Sequence, residues 1–303
     1  MPALICGSLA FDTITNFGGQ FAEHILPDQV HILNVAFLVP TLRREFGGCA
    51  GNIAYSLKLL GGEPVVMATL GNDGRDYLDR MQRLQWDTSL VRTVDHTYTA
   101  QAIIITDQRN NQITAFHPGA MGEAHLTAVP THRPDIRLAI VAPDGRDAMV
   151  QHAQQLHEAG IPFIFDPGQG LPMFNGDELM RFIGQATWVA VNDYEAKLLS
   201  DRTGRSLAEL STSHLRGIVV TLGEQGCELW VQGQCERVPG VAATAVVDPT
   251  GCGDAFRAGL LFGLERDWSL SRSVQLGNRL GALKIAHQGG QNHAVDPVAL
   301  GAA

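Results

Sequence analysis

From residue 138 onward, short apolar runs alternate with amphipathic stretches and polar turns. Leu138-Ala139-Ile140-Val141-Ala142 reads as a buried strand and Arg146 to Ala159 as a helix. Pro162-Phe163-Ile164-Phe165 is a second strand, ending at the polar turn Asp166-Pro167-Gly168-Gln169. Leu179 to Ala186 is a helix, and Trp188-Val189-Ala190-Val191-Asn192 a third strand. Repeated strand–helix–strand units predict a parallel sheet covered by helices on both faces. Gly217 to Leu222 adds a strand and glycine turn. Cys227–Val231 and Glu236–Val238 read as a hairpin, and Ser271 to His287 as a helix.

The first half has a different texture. Ala3-Leu4-Ile5-Cys6-Gly7-Ser8-Leu9-Ala10-Phe11-Asp12 runs from apolar through small residues to an acid. That fits a buried strand ending in a ligand-facing carboxylate, or a turn aspartate. Residues 13–46 are apolar but interrupted by glycine and proline. Phe17, Phe21, Ile25, Val30, Ile32, Leu33, Val35, Phe37, Leu38 and Val39 predict irregular or strand structure outside the main sheet, covering a site or a partner subunit. Ile53, Leu57 and Leu60 share a helical face after a glycine-rich turn. Val65 to Leu70 is a strand, and Asp76 to Leu84 a surface helix. Thr99–Thr106 and Gln112–Phe116 predict a hairpin about a turn near Asn110-Asn111.

Composition narrows the function classes. The 303 residues carry a net charge of −9 and include three lysines, Lys58, Lys197 and Lys284. An acidic chain without a basic run is a poor match for nucleic acid or an anionic membrane surface. Small anions held by backbone amides and a metal ion remain compatible with it. The cysteines, Cys6, Cys49, Cys227, Cys235 and Cys252, are odd in number and form no C-x-x-C pair. This argues for a reducing compartment, with neither a disulfide framework nor a zinc site. With no apolar leader or spanning run, a soluble cytoplasmic protein is expected.

The chemistry concentrates at Val247-Asp248-Pro249-Thr250-Gly251-Cys252-Gly253-Asp254-Ala255-Phe256, which leads into the apolar helical stretch Arg257 to Leu264. A glycine-rich turn opening a helix leaves backbone N–H groups without intrahelical partners and adds the positive end of the helix dipole, a ready anion site. Asp254 at its rim would repel a merely bound anion. It makes sense as a base taking a proton from a hydroxyl that attacks a phosphorus held by those amides. A helix cap is the other reading of an isolated G-x-G-D. Glu45-Phe46-Gly47-Gly48-Cys49-Ala50-Gly51-Asn52 is the second signal, in which glycines allow close backbone approach and Asn52 is a ligand or a helix cap. No G-x-x-x-x-G-K-[ST] occurs, which excludes a P-loop. Phe256 breaks any G-x-G-x-x-G.

Asp-x-Thr-Gly-x-Gly-Asp at 248–254 resembles the C-terminal signature of the ribokinase-like (PfkB) carbohydrate and nucleoside kinases. Gly-Gly-x-x-x-Asn at 47–52, the helix ending in Leu-Gly, and Gly71-Asn72-Asp73-Gly74 resemble the N-terminal signature. The resemblance covers nearly the whole chain and implies an α/β ribokinase-like three-layer fold. Its central sheet is mostly parallel, and a small β-sheet lid comes from roughly 13–46 and 96–121.

The resemblance further implies a catalytic base at Asp254 and an anion hole from Gly251, Cys252 and Gly253, with cysteine where alanine is commonest. Substrate would be held by Asp12, Gly47, Gly48 and Asn52, with Phe116 or Met121 near an apolar base and Asp166 a further candidate; Phe116 and Met121 are equally read as lid packing, and Asp166 as a turn residue. Asn192-Asp193-Tyr194-Glu195 matches Asn-x-x-Glu, so Asn192 would lie at the phosphates and Glu195 would meet Mg²⁺ through water, where a solvated helix-start glutamate is the alternative. Thr221, Gly223, Thr250 and Asn278 would line the nucleotide.

The expected activity is ATP-dependent, Mg²⁺-requiring phosphorylation of the primary 5′-hydroxyl of a nucleoside such as adenosine or inosine, with room for a monovalent cation. The apolar character of 13–46 and 99–121 favours a nucleoside over a free sugar. A ribokinase or fructokinase is the alternative within the class. A non-catalytic nucleotide- or sugar-binding regulator is the alternative outside it, and the intact Asp254, Gly251, Gly253, Asn192 and Glu195 count against that. The apolar lid also suggests a homodimer built lid to lid.

Overall fold

A computed structural model describes residues 2–25, 34–109, 111–130 and 132–302. Val30, Ile32, Leu33 and Asn110, on which sequence expectations fell, lie outside the described residues. Nine strands form the main sheet: β1 (Pro2–Cys6), β4 (Glu63–Gly71), β5 (Asp87–Val94), β8 (Leu138–Val141), β9 (Phe163–Phe165), β10 (Trp188–Asn192), β11 (Gly217–Thr221), β12 (Gly226–Val231) and β13 (Gln234–Pro239). Their order is β13-β12-β11-β10-β9-β8-β1-β4-β5. Pairing is parallel from β5 across to β11 and antiparallel for β12 and β13.

Alternation along each strand fills two cores. Ala3, Ile5, Ala190 and Val219 face one side. Leu4, Cys6, Val189, Val191, Ile218 and Val220 face the other. The first core is closed by α2 (Cys49–Leu59), α3 (Arg75–Arg83), α8 (Cys252–Glu265) and α9 (Leu270–Lys284). The second is closed by α4 (Arg146–Glu158), α5 (Gly176–Gln185), α6 (Asp193–Thr203) and α7 (Leu207–Ser211). Burial on both faces is why these strands read as unbroken apolar runs rather than alternating ones. β1 sits between β4 and β8, so successive connections leave it in opposite directions. Such a reversal opens a crevice at the carboxyl ends of the strands.

A separate four-stranded sheet is the lid, in the order β3-β2-β6-β7, built from β2 (Ala10–Asn16), β3 (Thr41–Gly47), β6 (Ala100–Thr106) and β7 (Gln112–His117). The hairpin expected at 99–116 is β6–β7, paired Ile104 to Thr114 and Thr106 to Gln112. Between β2 and β3 lies the short helix α1 (Phe21–His24), where Phe17, Phe21 and Phe37 cluster with ring centroids 4.8–6.0 Å apart. Aromatic packing thus accounts for part of that apolar insertion.

One expectation needs correction. The opening run is not one strand ending at Asp12. The chain leaves the main sheet after Cys6 because the Ser8 carbonyl and hydroxyl take up the Ala50 and Cys49 N–H groups, which start α2 without intrahelical partners. Asp12 therefore sits on lid strand β2, not at the carboxyl end of β1. No expectation covered β5, an edge strand whose Asp-Thr-Ser-Leu-Val-Arg-Thr-Val sequence lacks an unbroken apolar run.

Candidate active site

The first turn of α8 is the centre of the site. Gly251, its N-cap, has φ 78°, the left-handed region in which a side chain is strained. The next N–H groups point along the start of the helix. Cys252 departs from the expected role, because its N–H closes a turn onto the Pro249 carbonyl at 3.1 Å. Among the described residues, the N–H groups of Gly251, Gly253 and Asp254 have no acceptor, so three amides of this turn, not four, are left to donate to a ligand. Thr250 is exposed, and its N–H caps Asp248 at 2.9 Å.

Asp254 Oδ2 accepts from Asn52 Nδ2 at 2.8 Å. This bond joins the two signature loops across 202 residues, and the Cys49 thiol of the same first loop also hydrogen-bonds Asp254. Burial pushes the Asp254 carboxyl up to about 6. The Asn52 bond opposes that, Asp166 adds to it, and Arg257 opposes it again. Asn52 is itself held, since its Oδ1 accepts from Gln291 Nε2 at 3.2 Å. Gln291 also donates to Tyr77 Oη at 2.7 Å, and Tyr77 donates to the Gly47 carbonyl at 2.7 Å. Arg80 secures the Gln291 carbonyl at 2.7 Å. Gln291 and Tyr77 carried no motif and went unnoticed in the sequence.

On the lid side, Gly48 has φ 84°, and a Cβ there would stand 2.5 Å from the Ser8 carbonyl and 2.6 Å from Ala10 N. The strand–helix turn therefore requires glycine. The Asp12 carboxylate lies over Gly47, 2.5 Å from where its Cβ would be. Burial, with Asp248 and Glu45 nearby, pushes Asp12 up to about 6. Register places Glu45, Asp12, Ala102 and Phe116 in one row across the four lid strands. Asp12 and Phe116 therefore share a lid face two strands apart, roughly 10 Å at ordinary strand spacing. Phe116 is 54% exposed, so it is not consumed by packing within the lid.

On the sheet side, Asp166, Asn192 and Thr221 sit where β9, β10 and β11 end, as the sequence suggested. Asn192 and Thr221 are register partners, and Thr221 pairs with Cys227. Asn192 and Glu195 form a reciprocal capping box: Glu195 N–H donates to Asn192 Oδ1 at 2.7 Å, and Asn192 N–H to Glu195 Oε2 at 2.8 Å. Burial, then Asp166, raises the Glu195 carboxyl above its usual range. Gly223 is exposed with φ 59°. Asn278 bridges locally, accepting from Cys227 Sγ at 3.0 Å and donating to the Pro239 carbonyl at 3.1 Å. It thus ties α9 to the edge hairpin beside this row.

Asp166 was a candidate for substrate contact, but the structure gives it another partner. Its two oxygens accept from Arg257 Nη2 at 3.0 Å and Nε at 3.1 Å, and the residue is 3% exposed. Arg257 lies one turn beyond Asp254 on α8, 4% exposed, with Glu195 Oε2 at 3.9 Å. Burial opposes its charge, and Asp166 and Glu195 hold it ionised. Arg257 is the functional candidate the sequence reading missed. A basic residue inside an apolar helical run, immediately after the motif, was the available signal.

The donor set suits a hard cation arriving with a phosphate ligand. Glu195 offers one carboxylate, and among the described residues no group of three or more His, Cys, Asp or Glu side chains is arranged to hold a metal alone. Every candidate cysteine is a free thiol, and among the described residues no helix is long and apolar enough to cross a membrane.

The structure of Burkholderia thailandensis nucleoside kinase in complex with inosine matches with a TM-score of 0.88 at 52% identity, covering 98% of this chain and 95% of that one. The nucleoside kinase of Methanocaldococcus jannaschii is 25% identical over 86% of this chain and 85% of its own. Its crystal structure, described as an archaeal member of the ribokinase family, superposes with a TM-score of 0.89 over 99% and 97% of the two chains. A fructokinase of Escherichia coli is 27% identical over 80% of this chain and 86% of its own. The pfkB family carbohydrate kinase model matches residues 22–297. With a match over that span, the chain is a phosphotransferase that belongs to the pfkB family of carbohydrate kinases.

Proposed function

We propose that the protein transfers the γ-phosphoryl group of ATP to the 5′-hydroxyl of a nucleoside, with purine nucleosides such as inosine and adenosine as its preferred substrates. The observation that carries this reading is the 2.8 Å bond between Asn52 and Asp254, which joins the proposed substrate-side amide to the proposed base. Asp12 accepts hydrogen bonds from two adjacent ribose hydroxyls. Gly47 and Gly48 let the backbone close on the sugar, and exposed Phe116 on the same lid face offers apolar surface to the base. A free hexose or pentose would leave Phe116 without a partner. Likeness to the inosine-bound kinase, at 52% identity, supports the same substrate class.

In the reaction, Asp254 takes the hydroxyl proton as the oxygen forms its bond to the γ-phosphorus and the bond to ADP breaks. The N–H groups of Gly251, Gly253 and Asp254 receive the charge on the migrating group, and Asn52 holds the carboxylate in line. Asn192, Thr221, Gly223 and Thr250 lie along the nucleotide, with Asn278 at the adenine end. Mg²⁺, held partly by Glu195 through water, would neutralise phosphate charge when bound.

Coupled ADP release across adenosine, inosine, cytidine, ribose and fructose tests the proposal. Purine nucleosides should exceed ribose and fructose in kcat/KM by about 100-fold or more, the scale of losing a whole recognition group. Ribose or fructose as the best substrate would replace this reading with a sugar kinase. Binding without turnover would favour a regulator.

The outer lid face exposes Leu42, Ile103 and Ile113 at 67%, 44% and 40%. We include in the proposal a homodimer that covers this face lid to lid. Light scattering should give twice the chain mass, and a monomer at working concentration would contradict it.

A further inference from the structure

Of the three lysines, Lys284 is the one whose side chain is fully buried, at 0% exposure. It ends α9. Its ammonium donates to the Asp248 carbonyl at 2.8 Å and to the His287 carbonyl at 3.1 Å. An ammonium is expensive to bury, and a methionine would fill the same space at less cost. What the charge holds together is informative. The Asp248 N–H and Val247 N–H donate to the Ile285 carbonyl, and Asp248 Oδ2 accepts from Gly289 N at 2.8 Å. Asp248 Oδ1 accepts from Thr250 N at 2.9 Å, and the Pro249 carbonyl accepts from Cys252 N. The approach to the anion-binding turn is thus laid against residues 285–289. Two residues further on, Gln291 secures Asn52.

We propose that Lys284 is a positioning residue whose ammonium acts as a built-in cation. By clamping main-chain carbonyls of the 248 and 287 segments, it fixes the amides of Gly251, Gly253 and Asp254 for the phosphoryl group. The step therefore needs no monovalent cation. This rests on the phosphotransfer reading above. Burial pulls the lysine below its usual pKa, while Cys252, Asp248 and Asp254 act the other way and favour the charged form. A helix C-terminus likewise favours a cation.

Two measurements test it. In steady-state assays at matched ionic strength, the native protein should vary by less than about twofold among tetramethylammonium, sodium, potassium and ammonium chlorides. Lys284→Met should lose about 10–100-fold in kcat with nucleoside KM nearly unchanged, the pattern of an interaction realised in the transition state. Lys284→Ala should recover about tenfold with ammonium or potassium, but not with tetramethylammonium, which is too large for the vacated carbonyls.

Hydrogen exchange reads the clamp without turnover. Amides of 250–254 should exchange about tenfold faster in Lys284→Met, and in Lys284→Ala ammonium should slow them again. If the native protein phosphorylates nothing in the panel, the functional reading falls and exchange alone decides the clamp. Unchanged kcat and unchanged exchange in folded Lys284→Met would overturn the proposal. So would a native protein that depends on potassium about tenfold or more, a result that stands even where the variants fail to fold.

Discussion

Asp254→Asn should lose about 10²–10⁴-fold in kcat, the worth of general base catalysis, while ATP affinity changes little. Asparagine keeps the shape and still accepts from Asn52. It cannot take a proton. The loss should therefore fall on kcat, and near-normal turnover would remove Asp254 from the base role.

The same group should set the acid limb of the native protein. Asp254 and Asp12 are both pushed up to about 6, chiefly by burial. The base must be ionised, so kcat/KM should fall as pH drops below 6. The slope should approach two if both carboxylates are needed, and one in Asp254→Asn. The stability sign is opposite to the usual carboxylate. With folded-state pKa raised above the unfolded value, these groups stabilise the fold below about 4 and lose that contribution as pH rises through 6. Asp254→Asn should therefore melt no lower than the native protein at neutral pH. Poor activity and unimpaired stability in one variant would separate chemistry from scaffold.

Arg257→Met is expected to do the reverse, costing stability first. Arg257 is the buried cation that faces Asp166, Glu195 and Asp254 together. Removing one partner of a buried pair strands the other, which typically costs about 3–5 kcal/mol. That is a large share of the roughly 5–15 kcal/mol holding a domain folded. The urea midpoint should fall accordingly. Arg257 also lowers the Asp254 pKa, so the acid limb should move to higher pH in whatever folded protein remains. Arg257→Lys keeps charge but loses the two-pronged bond to Asp166, and should lie between. A methionine variant with native midpoint and native acid limb would show that the arginine only fills space.

Much of this is legible in the sequence. The β-α-β pattern from 138 to 192 appeared in the sheet as β8, β9 and β10 with α4 and α5 between them, because strands buried on both faces leave an unmistakable apolar signature. Asn52 and Asp254 were singled out by glycine spacing at two predicted helix starts, and the fold brings the two into contact. What the sequence hid depends on distance in space. Arg257, Gln291, Tyr77 and Lys284 matter through partners 91, 239, 30 and 36 residues away. No local spacing encodes such pairings. Asp166 was placed correctly at a strand end, but its tie to Arg257 could not be read, since a buried arginine and a surface arginine look alike in one dimension. Cys252 illustrates a finer limit: its N–H turns back on Pro249, a detail of backbone direction that residue type does not specify.

A complex with inosine and a non-hydrolysable ATP analogue tests the central claim most directly. The nucleoside 5′-oxygen should lie about 2.6–3.2 Å from an Asp254 carboxylate oxygen, hydrogen-bonding reach for a base. The terminal phosphoryl oxygens should accept from the N–H groups of Gly251, Gly253 and Asp254. A terminal phosphate bound elsewhere along the sheet, with Asp254 touching neither ligand, would contradict the account.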